Sequence, residues 1–97
     1  MTFNEIEKIV SEKTCINLDL IHSRSRKTDY VFARRLICVY ARAFLNMSLV
    51  EIAKLMSLDH ATVIHHIRNF EYDIAYDIQR REIAKQVKDE IQKCSLS

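Results

Sequence analysis

The residues best able to make specific contacts lie in a short run, where Asp59, His60, Ala61 and Thr62 precede an apolar stretch. Asp59 can accept hydrogen bonds from the free N–H groups of a helix start, so a helix is expected to begin at His60. Small polar side chains in the first turn of an exposed helix can reach base edges, and alanine or threonine methyl groups can contact a thymine methyl. The run therefore predicts contacts to DNA bases by these four residues.

Positive charge is concentrated in residues 22–42, which hold six basic side chains against the single carboxylate of Asp29. The net charge of +2 for the whole chain hides this asymmetry. Basic side chains contact the phosphate backbone of nucleic acids, and such contacts position a recognition helix. The residues predicted to contact the DNA backbone or minor groove are Arg24, Arg26, Lys27, Arg34, Arg35, Arg42, Ser48, His65 and Arg68.

Helices must carry these side chains, because the sequence contains no Gly and no Pro. Tight β-hairpin turns and phosphate-binding loops depend on Gly, whereas both Gly and Pro destabilise the interior of a helix. The composition therefore predicts an all-α fold, a bundle of five to six helices. It also excludes P-loop and Rossmann nucleotide sites, so no nucleotide is expected as a ligand.

Capping signals predict the helix boundaries. Residues 2–5 and 48–51 have the spacing of capping boxes, and Asn17, Asp59 and either Thr28 or Asp29 are further candidate N-caps. The expected helices cover about 3–13, 18–21, 28 or 29 to 45, 49–56, 60 to about 71, and 73–93, with the basic run 22–28 as a loop and residues 94–97 frayed. The helix at 73–93 is either separate or a bent continuation of the one before it.

Helical periodicity predicts the buried faces of these elements. In the third helix, Phe32, Leu36 and Tyr40 share an apolar face, whereas Arg35, Cys38 and Arg42 fall on another face that reads as a basic stripe. The core positions expected elsewhere include Leu55 and Ile78.

Residues 48–71 have the layout of a helix-turn-helix, which is a short helix, a tight turn at 57–59 and a second helix that presents its first turn. The basic loop lies just upstream and can supply the phosphate contacts that such a motif needs. No linker or repeat interrupts the sequence, so we expect residues 1–97 to form a single domain.

Two runs, Ser-Leu-Val-Glu-Ile-Ala at 48–53 and Asp-His-Ala-Thr-Val-Ile-His at 59–65, resemble the signature of the C-terminal DNA-binding domain of the bacterial replication initiator DnaA. The resemblance covers about residues 5–93. It implies a Trp-repressor-like helix-turn-helix that binds an asymmetric DnaA-box-like site as a monomer. The helix at His60 would enter the major groove, and an arginine of the basic loop would reach the adjacent minor groove. Replication initiation or its regulation, with replication proteins as candidate partners, is the implied setting.

The sequence departs from the family pattern at several points. Ala61 replaces the first threonine of the signature, and Ser57-Leu58 replaces a longer Gly-Gly-Arg turn. The arginines of the basic loop are shifted in register, with Thr28 at the position of the minor-groove arginine. The chain contains no ATPase module, so we expect an independent DNA binder of a bacterium or phage, with its own base preference.

Two other functions remain open from the sequence. One is a helical protein-interaction module, adaptor-like or antitoxin-like, whose amphipathic helix at 73–93 docks on another protein. The other is a non-specific nucleic-acid or RNA binder that uses the basic loop.

Catalysis, metals and cofactors are not expected. His65 and His66 have no carboxylate or thiolate at helical ligand spacing, and a chain without Gly offers no oxyanion hole. Cys15, Cys38 and Cys94 form neither a zinc pattern nor a disulfide framework, so they read as free thiols in a reducing compartment. The sequence shows no signal peptide and no apolar run long enough for a membrane, which predicts a cytoplasmic, nucleoid-associated protein.

Overall fold

The computed structural model describes residues 1–95, and within that range it contains six helices and no strand. The helices are α1 (Phe3–Thr14), α2 (Leu18–Ile21), α3 (Thr28–Leu45), α4 (Leu49–Met56), α5 (His60–Tyr76) and α6 (Ile78–Ser95). The predicted all-α fold is confirmed. Of the segment predicted to fray, Cys94 and Ser95 belong to α6, while residues 96–97 lie outside the described range.

Local side-chain caps begin most of these helices. Thr2, Asn17 and Asp59 each accept a hydrogen bond from a backbone N–H of the first turn, and Ser48 forms the predicted capping box with Glu51. The prediction that Thr28 or Asp29 caps α3 is wrong. That helix starts at Thr28 without a side-chain cap.

Helix α3 is the centre of the bundle, because it packs against α1, α2, α4 and α5. Cys38 is fully buried, as are Leu36 and Ile37, so α3 is covered on more than one side. The predicted basic stripe through Cys38 is therefore wrong, since a helix in the middle of a bundle has little surface left for a polar face.

The C-terminal half differs from the prediction in the length of α5. This helix continues to Tyr76, and an extended residue, Asp77 (φ −129°, ψ 110°), separates it from α6. Ile78 follows this break and is 77% exposed, and Leu55 on α4 is 51% exposed, so neither belongs to the core as predicted.

A buried carboxylate joins three helices of the bundle. Asp73 on α5 accepts hydrogen bonds from Arg35 on α3 (2.7 Å) and from Arg80 on α6 (3.1 Å). The Arg80 guanidinium also lies 5.4 Å from the centre of the Phe32 ring. This cluster fixes α5 and α6 relative to the central helix.

Candidate nucleic-acid interface

The basic loop (residues 22–27) connects α2 to α3 and is stabilised at both ends by hydrogen bonds. His22 closes α2 and bonds the buried carboxylate of Glu7 on α1. The hydroxyl of Ser23 donates to the carbonyl oxygen of Leu20 (2.6 Å), and Ser25 accepts from the N–H of Lys27 (3.2 Å). The loop therefore has a defined path even though most of its side chains are exposed.

Arg34, which lies on α3, stabilises the base of this loop from inside the protein. Its Nε donates to the carbonyl oxygen of Ile21 (2.6 Å), and its Nη2 donates to that of Ser23 (2.5 Å). The residue is buried, and this burial lowers the pKa of its guanidinium. The prediction of Arg34 as a surface phosphate contact is corrected here, because the side chain is buried and two of its five N–H donors hold backbone carbonyls of the loop.

Arg35 and Arg42 also have protein partners. Arg35 pairs with the buried Asp73, and its Nε is buried without a hydrogen-bond partner among the described residues. Arg42 stays exposed while its Nη1 donates to the carbonyl oxygen of Met47 (3.0 Å), which fixes the connection from α3 to α4. Arg35 is thus a bundle-stabilising residue rather than a free surface cation, whereas Arg42 is still accessible.

The cations that remain exposed on the basic loop are Arg24, Arg26 and Lys27. The ammonium of Lys27 lies 5.1 Å from the centre of the Tyr30 ring, a cation–π distance. None of the three forms an ion pair within residues 1–95. Their positive charge is available to an external anion.

The turn between α4 and α5 relies on a left-handed residue that is not glycine. Ser57 has φ 55° and ψ 41°, and the N–H of Leu58 returns to the carbonyl oxygen of Ala53 (2.9 Å). Leu58 is partly buried and packs against the core, so the turn is anchored from within. This geometry ends α4 at Met56, and α5 starts at His60 after the three-residue turn 57–59, as the helix-turn-helix pattern predicts.

The first turn of α5 presents the predicted base-contacting residues to solvent. His60 and Ala61 are exposed, and Thr62 is half-buried. Asp59 accepts a hydrogen bond from the N–H of Thr62 (2.7 Å). Hydrogen bonds from the side chain and backbone of Thr62 lower the pKa of Asp59 below its usual value, so the carboxylate is ionised at neutral pH.

Further along α5, His65 and Arg68 are exposed on the same helix. Asn69 donates to the carbonyl oxygen of His65 (2.8 Å) and contacts its imidazole, which orients that ring. Ser48 begins α4 and is exposed, with its hydroxyl engaged by the N–H of Glu51 (3.1 Å).

The basic loop and the start of α5 face each other across an open groove of about 590 Å³. One side carries Arg24 and Arg26, and the other carries Asp59, Thr62 and His65. Asp59 is the single acidic residue among the described residues that line the groove. The groove is thus electropositive, and the free N–H groups at the start of α5 add to its attraction for anions.

His66 also lines this groove, although the sequence did not predict it as a residue of the DNA-binding surface. The residue is 6% exposed, and its Nδ1 has no hydrogen-bond partner among the described residues. Burial, and then the nearby charge of Arg35, lower the pKa of His66 to about 4, so the imidazole is neutral at physiological pH. Helical spacing could have indicated this burial, because His66 lies three residues after Val63 and four before Phe70, and both of these are buried.

The fold and the exposed tip of α5 define a helix-turn-helix of the DNA-binding class. The sequence model of the family described as the bacterial DnaA protein helix-turn-helix matches residues 3–69 of the chain. The chain belongs to this family.

Chromosomal replication initiator proteins DnaA are among the relatives of the chain. The protein of Nautilia profundicola is 33% identical over 93 residues, which is 95% of this chain and 21% of that protein. That of Flavobacterium psychrophilum is 30% identical over 92 residues (94% and 19%), and that of Ureaplasma parvum serovar 3 is 38% identical over 64 residues (65% and 14%). The chain thus spans about a fifth or less of the length of these curated relatives.

No three His, Cys, Asp or Glu side chains within residues 1–95 come together in a way that could hold a metal ion. In the same range, none of the helices combines the length and the apolar character needed to cross a bilayer.

Proposed function

We propose that this chain binds duplex DNA with sequence preference, at a DnaA-box-like site, in replication initiation or its regulation. The observation that carries the proposal is the shared groove. Residues from distant parts of the sequence, Arg24 and Arg26 on the loop and Asp59, Thr62 and His65 on α5, line one electropositive surface. Membership of the DnaA helix-turn-helix family supports the same function.

In the proposed complex, the first turn of α5 enters the major groove. The exposed imidazole of His60 bonds a base edge, and the exposed methyl of Ala61 contacts a thymine methyl. Asp59 uses one carboxylate oxygen for the N–H of Thr62, and its remaining acceptor capacity can meet a cytosine amino group. Because Thr62 already bonds Asp59, its methyl group is the part most available to DNA.

The basic loop provides the complementary contacts. Arg24, Arg26 and Lys27 are exposed and free of internal ion pairs within the described range, so they can reach phosphates or the adjacent minor groove. Arg42, Ser48, His65 and Arg68 are the further proposed backbone contacts, all of them exposed. Arg34 and Arg35 act indirectly, by holding the loop and the helix bundle.

Selection of bound sites from random duplexes, followed by titration of the selected and a scrambled duplex, tests this proposal. We expect an asymmetric consensus bound by one molecule of the protein. His60→Ala should lose about 1–3 kcal/mol of binding free energy on the selected duplex and little on the scrambled one. Lys8→Ala, an exposed cation on α1, is the matched control and should leave both affinities unchanged.

The selection also separates the remaining functions. No enrichment, with equal affinity for both duplexes, would support non-specific nucleic-acid binding through the basic loop instead. No duplex binding even at low salt would contradict both DNA-binding functions.

A further inference from the structure

A second groove lies between the C-terminal half of α3 and α6 and has a volume of about 460 Å³. Its surface is mostly apolar, with Tyr40 and Phe44 from α3, Phe70 and Ile74 from α5, and Ala84 from α6. It shares no lining residue with the groove of the basic loop. The two surfaces are therefore separate sites on the described part of the molecule.

This groove is open because the backbones of α3 and α6 approach each other closely at few positions. The two helices are joined there by a hydrogen bond from the Tyr40 hydroxyl to the carbonyl oxygen of Ala84 (2.8 Å). The Tyr40 ring packs edge-on against Phe70 (5.9 Å between centroids) and against Phe44 (5.8 Å). The walls are thus preformed, and an occupant would not have to order them.

One rim of the groove is positively charged. Arg81, Lys85 and Lys88 lie at positions i, i+4 and i+7 of α6, so they share one face over about 10 Å. None of them forms an ion pair within residues 1–95. The guanidinium of Arg81 is held in place by the carbonyl oxygens of Ile74 (2.6 Å) and Ala75 (3.0 Å).

We propose that this groove binds an acidic amphipathic helix of a partner protein. Its apolar side chains would lie against Phe44, Ile74 and Ala84, and its Asp or Glu residues would face the rim of Arg81, Lys85 and Lys88. Complementary charge along such a rim sets orientation and partner choice, while the apolar floor supplies affinity.

The chemistry of the walls favours a helix over other occupants. All walls are helical, so their backbone N–H and C=O groups are already paired, and an extended peptide would find no strand edge to join. A nucleic acid could use the three cations, but its phosphates would gain nothing from the apolar floor. Because the two grooves are separate, a DNA-bound molecule could hold this partner at the same time.

Two synthetic helical peptides of about four turns test the proposal on the full chain. Both carry Leu and Phe at i, i+3 and i+7, and one has Glu and the other Lys at the flanking positions. We expect the Glu peptide to bind and to shift the backbone amide NMR signals of Phe44, Ile74 and Ala84. The Lys peptide should bind at least about tenfold more weakly, because its charges face the same cationic rim.

Two variants locate the site. Lys85→Glu/Lys88→Glu should weaken the Glu peptide about tenfold and improve the Lys peptide. The matched control Lys8→Glu/Lys93→Glu makes the same charge change at exposed positions outside the groove and should have no effect. Ala43→Trp, at an exposed position of the groove, should block the peptide without a change of charge.

Three results would overturn the proposal. If the Glu and Lys peptides bound the original chain with equal affinity, or if the Glu peptide bound the groove variants as tightly as the control variant, the groove would not be a specific binding site. A concentration-dependent dimer that Ala43→Trp abolishes would make a second copy of the chain the occupant. A loss of duplex affinity in Lys85→Glu/Lys88→Glu beyond that of the control would make the rim a DNA-contacting surface.

Discussion

Two sets of arginines from the same basic run have different environments in this molecule. Arg24 and Arg26 lie on the surface of the basic loop, whereas Arg34 is buried and bonded to two carbonyl oxygens, and Arg35 is paired with buried Asp73. The charge of each residue is the same, so the difference comes from what surrounds it. A cluster of cations in a sequence therefore indicates an anion-binding surface only after its internal acceptors are known. Variants at each set of arginines, and at the groups that bond them, distinguish structural cations from available ones.

The largest effect on stability is expected from removal of the carboxylate that joins three helices. Asp73→Ala should lower the free energy of unfolding by about 4 kcal/mol, because it leaves Arg35 and Arg80 without their shared partner. Urea denaturation measures this change. Glu71→Ala removes an exposed carboxylate from the same helix and should change stability by about 0.5 kcal/mol or less. If the two variants were equally stable, the cluster would not hold the bundle together.

The second largest loss of stability is expected when the buried arginine at the base of the loop is replaced. Arg34→Met keeps most of the side-chain volume but leaves the carbonyls of Ile21 and Ser23 without their charged donor, which should cost about 3 kcal/mol of unfolding free energy. Arg24→Met is the matched variant on the loop surface and should be nearly neutral. Similar stability losses in both variants would contradict the division between the two sets.

The buried imidazole beside these arginines predicts a dependence of stability on pH. The pKa of His66 is lowered to about 4 in the folded chain, so unfolding takes up a proton below the ordinary histidine pKa. The contribution of neutral His66 to the free energy of unfolding is complete above about pH 6.5 and is lost as the pH falls towards 4. The free energy of unfolding should therefore decrease by about 2 kcal/mol between pH 7 and pH 5.

Denaturation of the original chain and of His66→Gln at both pH values measures this contribution. Glutamine does not titrate, so the decrease should be about 2 kcal/mol smaller in the variant, whatever its stability at pH 7. An identical pH dependence in both proteins would show that His66 is not held neutral by the fold.

The smallest effect on stability is expected from the available cations. Arg24→Ala/Arg26→Ala should change the free energy of unfolding by about 0.5 kcal/mol or less. It should weaken binding to all duplexes and reduce the salt dependence of log K by about two units of slope, one for each lost phosphate contact. An unchanged salt slope would place the phosphate contacts elsewhere on the molecule.

The helix boundaries were predictable because their determinants are local. The capping box at Ser48 and the N-cap at Asp59 depend on neighbouring residues, so the sequence predicted the helix-turn-helix and its first turn correctly. The break between α5 and α6 was harder to predict from the sequence, because Asp77 interrupts a continuous helical pattern without Gly or Pro.

The roles of the arginines could not be predicted in the same way. Arg34 bonds residues 11 and 13 positions away, and Asp73 lies 38 positions from Arg35. His65 and His66 are adjacent in the sequence, yet one is exposed and the other is buried. The spacing of Val63, Ile67 and Phe70 does predict which side of α5 meets the bundle, but it does not predict that a polar imidazole is buried there.

The three left-handed residues at helix ends have a practical consequence for engineering. Cys15, Asn46 and Ser57 adopt positive φ values. In this conformation the β-carbon of any residue other than glycine lies close to the following carbonyl oxygen. Glycine would relieve that crowding, against a larger entropy in the unfolded chain. Replacement of the exposed Cys15 or Ser57 by glycine is thus a first choice for raising the thermal stability of the chain. The change at Cys15 would also remove an oxidisable thiol.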